Sequence, residues 1–243
     1  MASLDSVLVR QGFGRGVVKR VLDDTPVAIR LRYIGTGTVT SVTTVISTGI
    51  TMITSDGGTD AYTFASNATV GDLVDAINND NIFEARVLDA LRSDATDDMF
   101  LDGAITSTSS NEGYQIWDVL HDTSAVDATN TLAYLSVRVT PDADRLFQGA
   151  RKGHRVSLQE IQYYANVNAA SAAAVRVYEC VGATETLVWS AASVDATLTT
   201  INWASGEGKI TGADKTEFLV RVQDATSLTD TSSNFLQVVA FVE

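Results

Sequence analysis

Apolar and polar residues alternate with a period of two along most of this chain, which predicts β-strands with one buried face. The clearest example is Val27–Ile34, where Ile29, Leu31 and Tyr33 fall on one face. In the first half of the chain, similar runs occupy residues 4–10, 17–22, 39–46, 50–54, 83–87 and 114–120. Asp56–Gly58 is a hairpin-turn signal, after which Tyr62 and Phe64 begin a return strand. Residues 93–112 are polar and small enough to predict a loop.

One segment, Thr69–Asn78, has a helical period instead. Its apolar residues recur at i, i+3, i+4 and i+7 and form one stripe: Val70, Leu73, Val74 and Ile77. Thr69 is a favourable N-cap, and Asp72 places a carboxylate in the first turn. A single amphipathic helix among strands predicts an α+β domain in which the helix packs on a sheet.

The second half of the chain contains strand-like runs only. They occupy residues 132–140, 155–167, 173–181, 186–190, 197–203, 217–223 and 235–242. Short strands separated by regular turns are typical of a β-sandwich, here of a jelly-roll-like kind. The small, polar segment 124–130 predicts a linker between an N-terminal α+β domain (1–125) and a C-terminal β-sandwich (131–243).

Composition agrees with a mainly β, two-domain protein. The 243 residues are 45% apolar, and Val, Ile, Thr and Ala are abundant. The net charge of −13 argues against binding to nucleic acid or to anionic membranes. The N-terminus does not resemble a signal peptide, and no apolar run is long enough to cross a bilayer, so we expect synthesis in the cytoplasm.

The charge is unevenly distributed. Residues 1–35 carry six basic and three acidic side chains, whereas the remainder carries 11 basic and 27 acidic ones. This asymmetry predicts a basic N-terminal arm that docks on a partner, with Arg10, Arg15, Lys19 and Arg20 as candidate contacts. The alternative is a mixed-charge β-ribbon without a partner.

Residues for catalysis are scarce. His121 and His154 fall in different predicted domains and match no triad or metal-binding spacing. The G-x-G-x-G sequence of Gly12–Gly16 lacks the spacing of a dinucleotide site, so a bend is expected. The lone Cys180 cannot form an internal disulfide, and its alternating surroundings predict a buried structural thiol. We therefore predict no catalytic residues and no cofactor.

Two further binding sites are weaker hypotheses. An acidic segment could offer oxygen ligands to calcium, although a solvated loop is favoured over a metal site: Asp94, Asp97, Asp98 and Asp102. Trp189 and Trp203 lie in the predicted sandwich and could stack on sugar rings if exposed, although core packing is the commoner role of tryptophan.

Part of the chain resembles a known kind of module. Ala68–Asn78, followed by Phe83–Val87, is similar to the insert modules of bacterial flagellins and hook proteins, which also occur in tailed-phage virion proteins. The resemblance covers residues 40–90 and implies a surface-displayed structural module. The terminal helices of a flagellin are absent, which favours a phage virion protein.

These observations predict a non-enzymatic virion structural protein, first a capsid decoration or head-associated protein on the phage surface. Its partners would be other virion proteins and further copies of itself. The alternative is a tail or fibre component with a carbohydrate-binding, adhesive β-sandwich. A glycosidase using two carboxylates is a third hypothesis.

Overall fold

The computed structural model describes residues 6–11, 14–22, 26–97, 99–101, 116–121, 133–140, 156–164, 174–192, 197–203, 210–212, 216–224 and 235–242. Within these ranges the chain forms one helix, α1 (Val70–Asp80), and many antiparallel strands. The strands are β1 (Ser6–Gln11), β2 (Gly14–Leu22), β3 (Val27–Tyr33), β4 (Val39–Val45), β5 (Gly49–Thr54), β6 (Gly58–Thr63), β7 (Phe83–Val87), β8 (Met99–Leu101), β9 (Ile116–His121), β10 (Ala133–Val139), β11 (Val156–Tyr164), β12 (Ala174–Val181), β13 (Thr184–Ala192), β14 (Thr199–Asn202), β15 (Ile210–Thr211), β16 (Glu217–Asp224) and β17 (Phe235–Val242). The predicted mainly β fold with one helix is confirmed.

The chain divides into two compact units, but not where the sequence suggested. One unit is Thr25–Asp122, and the other combines Met1–Asp24 with Thr123–Glu243. The division into 1–125 and 131–243 therefore assigned the first 24 residues to the wrong unit. The reason is long-range pairing, because β2 forms a continuous antiparallel ladder with β17, from Leu22 opposite Phe235 to Arg15 opposite Val242. In chain order, the unit 25–122 is inserted between β2 and β10.

The discontinuous unit contains two sheets. One follows the order β1-β2-β17-β11-β14, with β15 also paired to β11, and the other follows the order β10-β16-β12-β13. Apolar residues of both sheets form a single core, so the predicted β-sandwich is present.

The pairing within this sandwich is nested. β2 pairs with β17, β10 with β16, β11 with β14 and β15, and β12 with β13. Strands from the first half of the unit therefore pair with strands from its second half in reverse order. From β2 onward the chain crosses between the two sheets at most connections of this unit; the exceptions are the β12–β13 hairpin and the step from β14 to β15, which each stay within one sheet. β14 and β15 both pair with β11 and occupy one position in the sheet, so without the edge strand β1 the two sheets have four strand positions each. An eight-stranded double sheet with this arrangement is a jelly roll. The predicted jelly-roll-like fold is confirmed, with the correction that its first strand comes from residues 14–22.

Side chains fill the interior of the sandwich. Among the described residues, sixteen buried ones form its core, mostly Val, Leu and Ile, together with Tyr163, Phe218 and Trp203. Apart from Trp203, they lie on β10, β11, β12, β16 and β17 at alternate positions, and the period of two is interrupted only in β11, where the ladder with β17 shifts register after Leu158. The interior of this unit is a packed core.

The inserted unit has its own core and its own two sheets, β7-β3-β9-β8 and β4-β5-β6. The predicted helix is confirmed as α1. Its N-cap Thr69 accepts a hydrogen bond from the backbone N–H of Asp72, and Asn81 ends it in a left-handed conformation with φ of 57°. Leu73 and Ile77 on its apolar stripe are fully buried.

The two ends of the inserted unit lie side by side. β3 and β9 are antiparallel neighbours, with Val27 opposite Leu120, and the backbone N–H of His121 donates to the carbonyl of Pro26 at 3.0 Å. A domain whose entry and exit are adjacent can be inserted into a host fold without separating the host strands.

Two short strands escaped sequence analysis. β8 lies within the predicted loop 93–112, and β15 lies between the predicted strands 197–203 and 217–223. Strands of three and two residues are too short to display a periodicity. The predicted linker 124–130 and the glycine bend at residues 12–13 lie outside the described residues.

Candidate functional site

The two edges of the sheet β10-β16-β12-β13 differ sharply in exposure. At one edge, every described side chain of β10 is buried, from Tyr134 to Val139. At the other, every residue of β13 is exposed or half-buried. This asymmetry makes β13 the accessible edge of the sheet.

The buried edge is polar on the face that points away from the sandwich core. Ser136 and Arg138 alternate along β10 with the core residues Leu135, Val137 and Val139. Ser136 is fully buried, and its hydroxyl lacks a hydrogen-bond partner among the protein atoms described. Buried polar groups of this kind are commonly satisfied by ordered water.

A buried ion triad crosses this face. Arg138 on β10 donates to the carboxylate of Glu185 on β13, with Nη2 and Oε1 3.1 Å apart, and to that of Glu217 on β16, with Nη1 and Oε2 3.4 Å apart. Burial lowers the pKa of Arg138, but the negative groups around it outweigh that effect and raise it. The guanidinium thus ties the buried edge to the accessible edge across the intervening strands.

Cys180 lies beside this triad. It is 2% exposed, and burial raises the pKa of its thiol to about 11, with Arg138 partly offsetting the shift. The predicted buried structural thiol is confirmed. Nearby on the same sheet, the guanidinium of Arg221 stacks 3.8 Å above the ring of Tyr134, and both residues are 1% exposed. Such a desolvated cation–π contact adds stability to the face.

β13 is the most open strand of the sandwich for which side chains are described. Leu187 and Val188 are 49% and 42% exposed, and Val181 at the adjoining turn is 50% exposed. Gly182 takes a φ of 60° in that turn, where a side chain would be strained. An apolar strand edge facing solvent is a ready template for another strand.

The predicted docking residues lie on paired strands. Arg10 and Arg15 are opposite each other in the β1–β2 ladder, and Lys19 and Arg20 lie on β2 within the β2–β17 ladder. Residues 6–11 and 14–22 therefore do not form a separate arm, because β1 and β2 are paired strands and β2 is the first strand of the jelly roll. A docking role for these four residues stays a prediction.

The other basic residues of the predicted arm belong to the inserted unit and are neutralised there. Arg30 donates to Asp118, with Nη2 and Oδ2 2.6 Å apart, and Arg32 pairs with Glu84. Both pairs connect neighbouring strands. The cluster of positive charge in residues 1–35 is thus divided between the two units.

The two tryptophans meet in the sandwich. Their rings are perpendicular, with centroids 5.2 Å apart. Trp203 is buried in the core and Trp189 is partly buried against it. Trp203 therefore offers no exposed ring face to a sugar, and the pair performs the packing role that sequence analysis favoured.

Of the acidic segment, Asp94 has a structural role, and Asp97 is half-buried, with its backbone carbonyl accepting a hydrogen bond from the backbone N–H of Ser47. Asp94 is buried, and its carboxylate accepts a hydrogen bond from the backbone N–H of Leu91 at 2.8 Å. Asp98 and Asp102 lie outside the described side chains, as does His154, while His121 is buried at the end of β9. Within the described ranges no group of three acidic, histidine or cysteine side chains is arranged to hold a metal ion.

Sequence analysis missed one polar cluster in the inserted unit. Asp56 accepts hydrogen bonds from the hydroxyl of Tyr33 and from the backbone N–H groups of Thr36 and Gly37, at 2.8 to 2.9 Å. The hydrogen bond from Tyr33 and those from the backbone lower the pKa of Asp56. The cluster holds the loop between β3 and β4 against the β5–β6 turn. The sequence marks Asp56 only as the first residue of a hairpin-turn signal, Asp56–Gly58, and gives no sign of its partners.

Comparisons with known proteins identify no relatives by sequence. No family model and no curated protein match this chain. Among solved structures, a match titled "Structure of infectious bursal disease virus Gx strain" has 10% identity and a TM-score of 0.19, covering 98% of this chain and 76% of the other. At so low a TM-score the match carries no argument. No helix in the described part of the chain is long and apolar enough to cross a membrane.

Proposed function

We propose that this chain is a non-enzymatic structural protein of a tailed-phage particle, and that it is a capsid decoration or head-associated protein. The observation that carries the proposal is the nested jelly roll with a separately cored unit inserted between its first two strands. Jelly rolls recur in viral capsid proteins, but also in lectins and cupins. The strand order alone therefore does not decide the function.

The packing of the jelly roll favours an assembly role. Its interior is occupied by sixteen buried side chains, so the described part of this unit presents strand edges and sheet faces to a partner. Assembly between subunits is mediated by such surfaces. The accessible edge β13 is one surface of this kind.

The inserted unit supports display on a particle surface. Its described residues include a core of twenty buried ones, and its two ends are adjacent. A subunit built in this way can use one unit for attachment while the other remains free to face solvent. Residues 39–87 form three strands, β4 to β6, followed by α1 and β7, and the flagellin and hook modules that this region resembles likewise have strands, a helix and a further strand.

The alternative, a carbohydrate-binding tail or fibre component, has less support. It depended on exposed tryptophans, and Trp203 lies in the core. A glycan array probed with the full chain separates the two proposals, because specific binding would favour the adhesive role.

Location on intact particles tests the proposal directly. Antibodies against residues 25–122 should label the heads of intact particles made by the genome that encodes this chain, and mass spectrometry of those particles should find the protein in many copies. Labelling confined to the tail would support the alternative. Absence of the protein from purified particles would refute both assignments.

A further inference from the structure

We infer that Asp60 and Asp80 form a pH-sensitive contact between β6 and the C-terminal end of α1, which tightens in mild acid when Asp60 takes up a proton. The inference depends only on side chains of the inserted unit. It can therefore hold or fail independently of the virion proposal.

Three carboxylates meet at this end of the inserted unit. Asp56 lies in the turn between β5 and β6, Asp60 lies on β6, and Asp80 is the last residue of α1. Both Asp80 and Asp56 act electrostatically on Asp60. The final carbonyl groups of a helix add negative charge, and α1 has no basic residue in its last turn. Negative charge is therefore concentrated where β6 meets the end of α1.

The three carboxylates differ in the hydrogen bonds that they accept. Asp56 accepts hydrogen bonds from the hydroxyl of Tyr33 and from two backbone N–H groups. Asp80 accepts one from the hydroxyl of Tyr62. The Oδ2 atom of Asp60, by contrast, is buried without a hydrogen-bond partner among the described residues. Hydrogen-bond donors stabilise the ionised form of a carboxyl group, so Asp60 is the member of this cluster that takes up a proton first.

The position of Asp60 in the sheet accounts for its poor surroundings. It lies opposite Met52 in the β5–β6 ladder, and Met52 is fully buried. The next residue on the same face of β6 is Tyr62, which belongs to the core of the unit. Asp60 is therefore a charged residue on the inner face of an edge strand, a placement that proteins use to prevent pairing with other strands. Burial, Asp80 and Asp56, in that order, raise the pKa of Asp60.

The direction of the pH effect follows from that shift. An aspartate in an unfolded chain releases its proton near pH 4, about the ordinary value. Because the pKa of Asp60 is higher in the folded unit, its contribution to stability is fully present below about pH 4 and is lost as the pH rises through the raised pKa. Protonation removes the repulsion between Asp60 and Asp80, and it gives Asp60 an O–H group that can donate to a carboxylate.

The contact with α1 should respond to this change. The hydrogen bond from Tyr62 to Asp80 joins β6 to the last residue of the helix. Ionised Asp60 opposes that connection, because it brings a second negative charge close to Asp80. In mild acid the opposing charge is absent, and the end of α1 is held more firmly against β6.

Carboxyl carbon NMR of the full-length wild-type protein tests the protonation step. The Asp60 resonance, assigned through bonds, should titrate above the ordinary aspartate value of about 4. In Asp80→Asn the same resonance should titrate at a lower pH than in the wild type. Titration of wild-type Asp60 at or below the ordinary value would overturn the inference, and this measurement does not depend on the folding of any variant.

Hydrogen exchange by mass spectrometry tests the effect on the contact. In the wild type, peptides covering β6 and the last turn of α1 should lose protection as the pH rises from about 5 to about 7, after correction for the intrinsic exchange rates. Asp60→Asn keeps the shape of the side chain without its charge, and most of this loss should disappear. Asp75→Asn is the matched control, because it removes one charge from the same region of the unit at a side chain that is 67% exposed, and the loss should remain. Equal pH dependence in the wild type and Asp60→Asn would overturn the inference.

Discussion

Removing the cation of the buried triad should destabilise the jelly-roll unit strongly. Arg138, Glu185 and Glu217 have side chains only 6%, 11% and 13% exposed. Arg138→Met leaves two carboxylates largely buried on the same sheet face without their cation. Breaking a buried ion pair in this way costs about 3 to 5 kcal/mol. For a unit of this size, that loss corresponds to a fall in melting temperature of about 10 °C.

Hydrogen exchange measured by mass spectrometry at increasing urea concentrations reports the stability of each unit separately. In Arg138→Met, peptides from β10 to β17 should lose protection at lower urea, while peptides from Thr25–Asp122 should be unchanged. Asp75→Asn is a control, because Asp75 is 67% exposed in its pair with Arg92 and its loss should cost less than about 1 kcal/mol.

A compensating variant separates the charge effect from packing. Combining Arg138→Met with Glu185→Leu and Glu217→Leu removes all three charges and should restore most of the lost stability. If Arg138→Met alone costs less than about 1 kcal/mol, the triad behaves as a solvated pair and the reasoning is wrong.

Three further predictions concern the helix and the thiol. Leu73→Ala should destabilise the inserted unit by about 2 to 5 kcal/mol, because Leu73 is fully buried. Urea-dependent hydrogen exchange of peptides from residues 25–122 should detect this loss of stability, and unchanged exchange would contradict the prediction. Thr69→Ala should cost about 1 kcal/mol in the same assay through loss of the N-cap, whereas Thr69→Ser should cost much less; equal losses would exclude a capping role for the hydroxyl. Burial raises the pKa of the Cys180 thiol to about 11, whereas an ordinary thiol is about half ionised at pH 9. At pH 9, Cys180 should therefore react with a thiol reagent far more slowly in native protein than in urea. Equal rates would show that the thiol is accessible.

Sequence patterns correctly predicted the elements that depend on interactions between residues close together in the sequence. The capping Thr69 and the apolar stripe that includes Leu73 predicted α1 within two residues, because capping and amphipathicity act over one or two helical turns. Alternation likewise located the longer strands, such as β3 and β16. The short β8 and β15 were missed, since they exist only through the neighbours that they pair with.

The candidate site was much less predictable. The sequence identified Cys180 as a buried thiol from its alternating surroundings, but it did not indicate that Arg138 would be buried between two glutamates on different strands. A charged residue at an outward position of a strand is normally solvated. Its burial depends on what covers that sheet face, and a period of two contains no such information.

The sequence by itself determined that this is a folded, mainly β protein with one helix, because periodicity, capping and composition are local properties. Only the tertiary structure decided which strands are partners. β2 and β17 pair although they lie near opposite ends of the chain. Because of this pairing, β2 in the predicted basic arm is the first strand of the jelly roll, and residues 25–122 are an insertion and not a first domain. Alternation shows that a strand has a buried face, but it does not identify the strand that pairs with it. The pairing partner depends on packing between segments that are distant in the sequence.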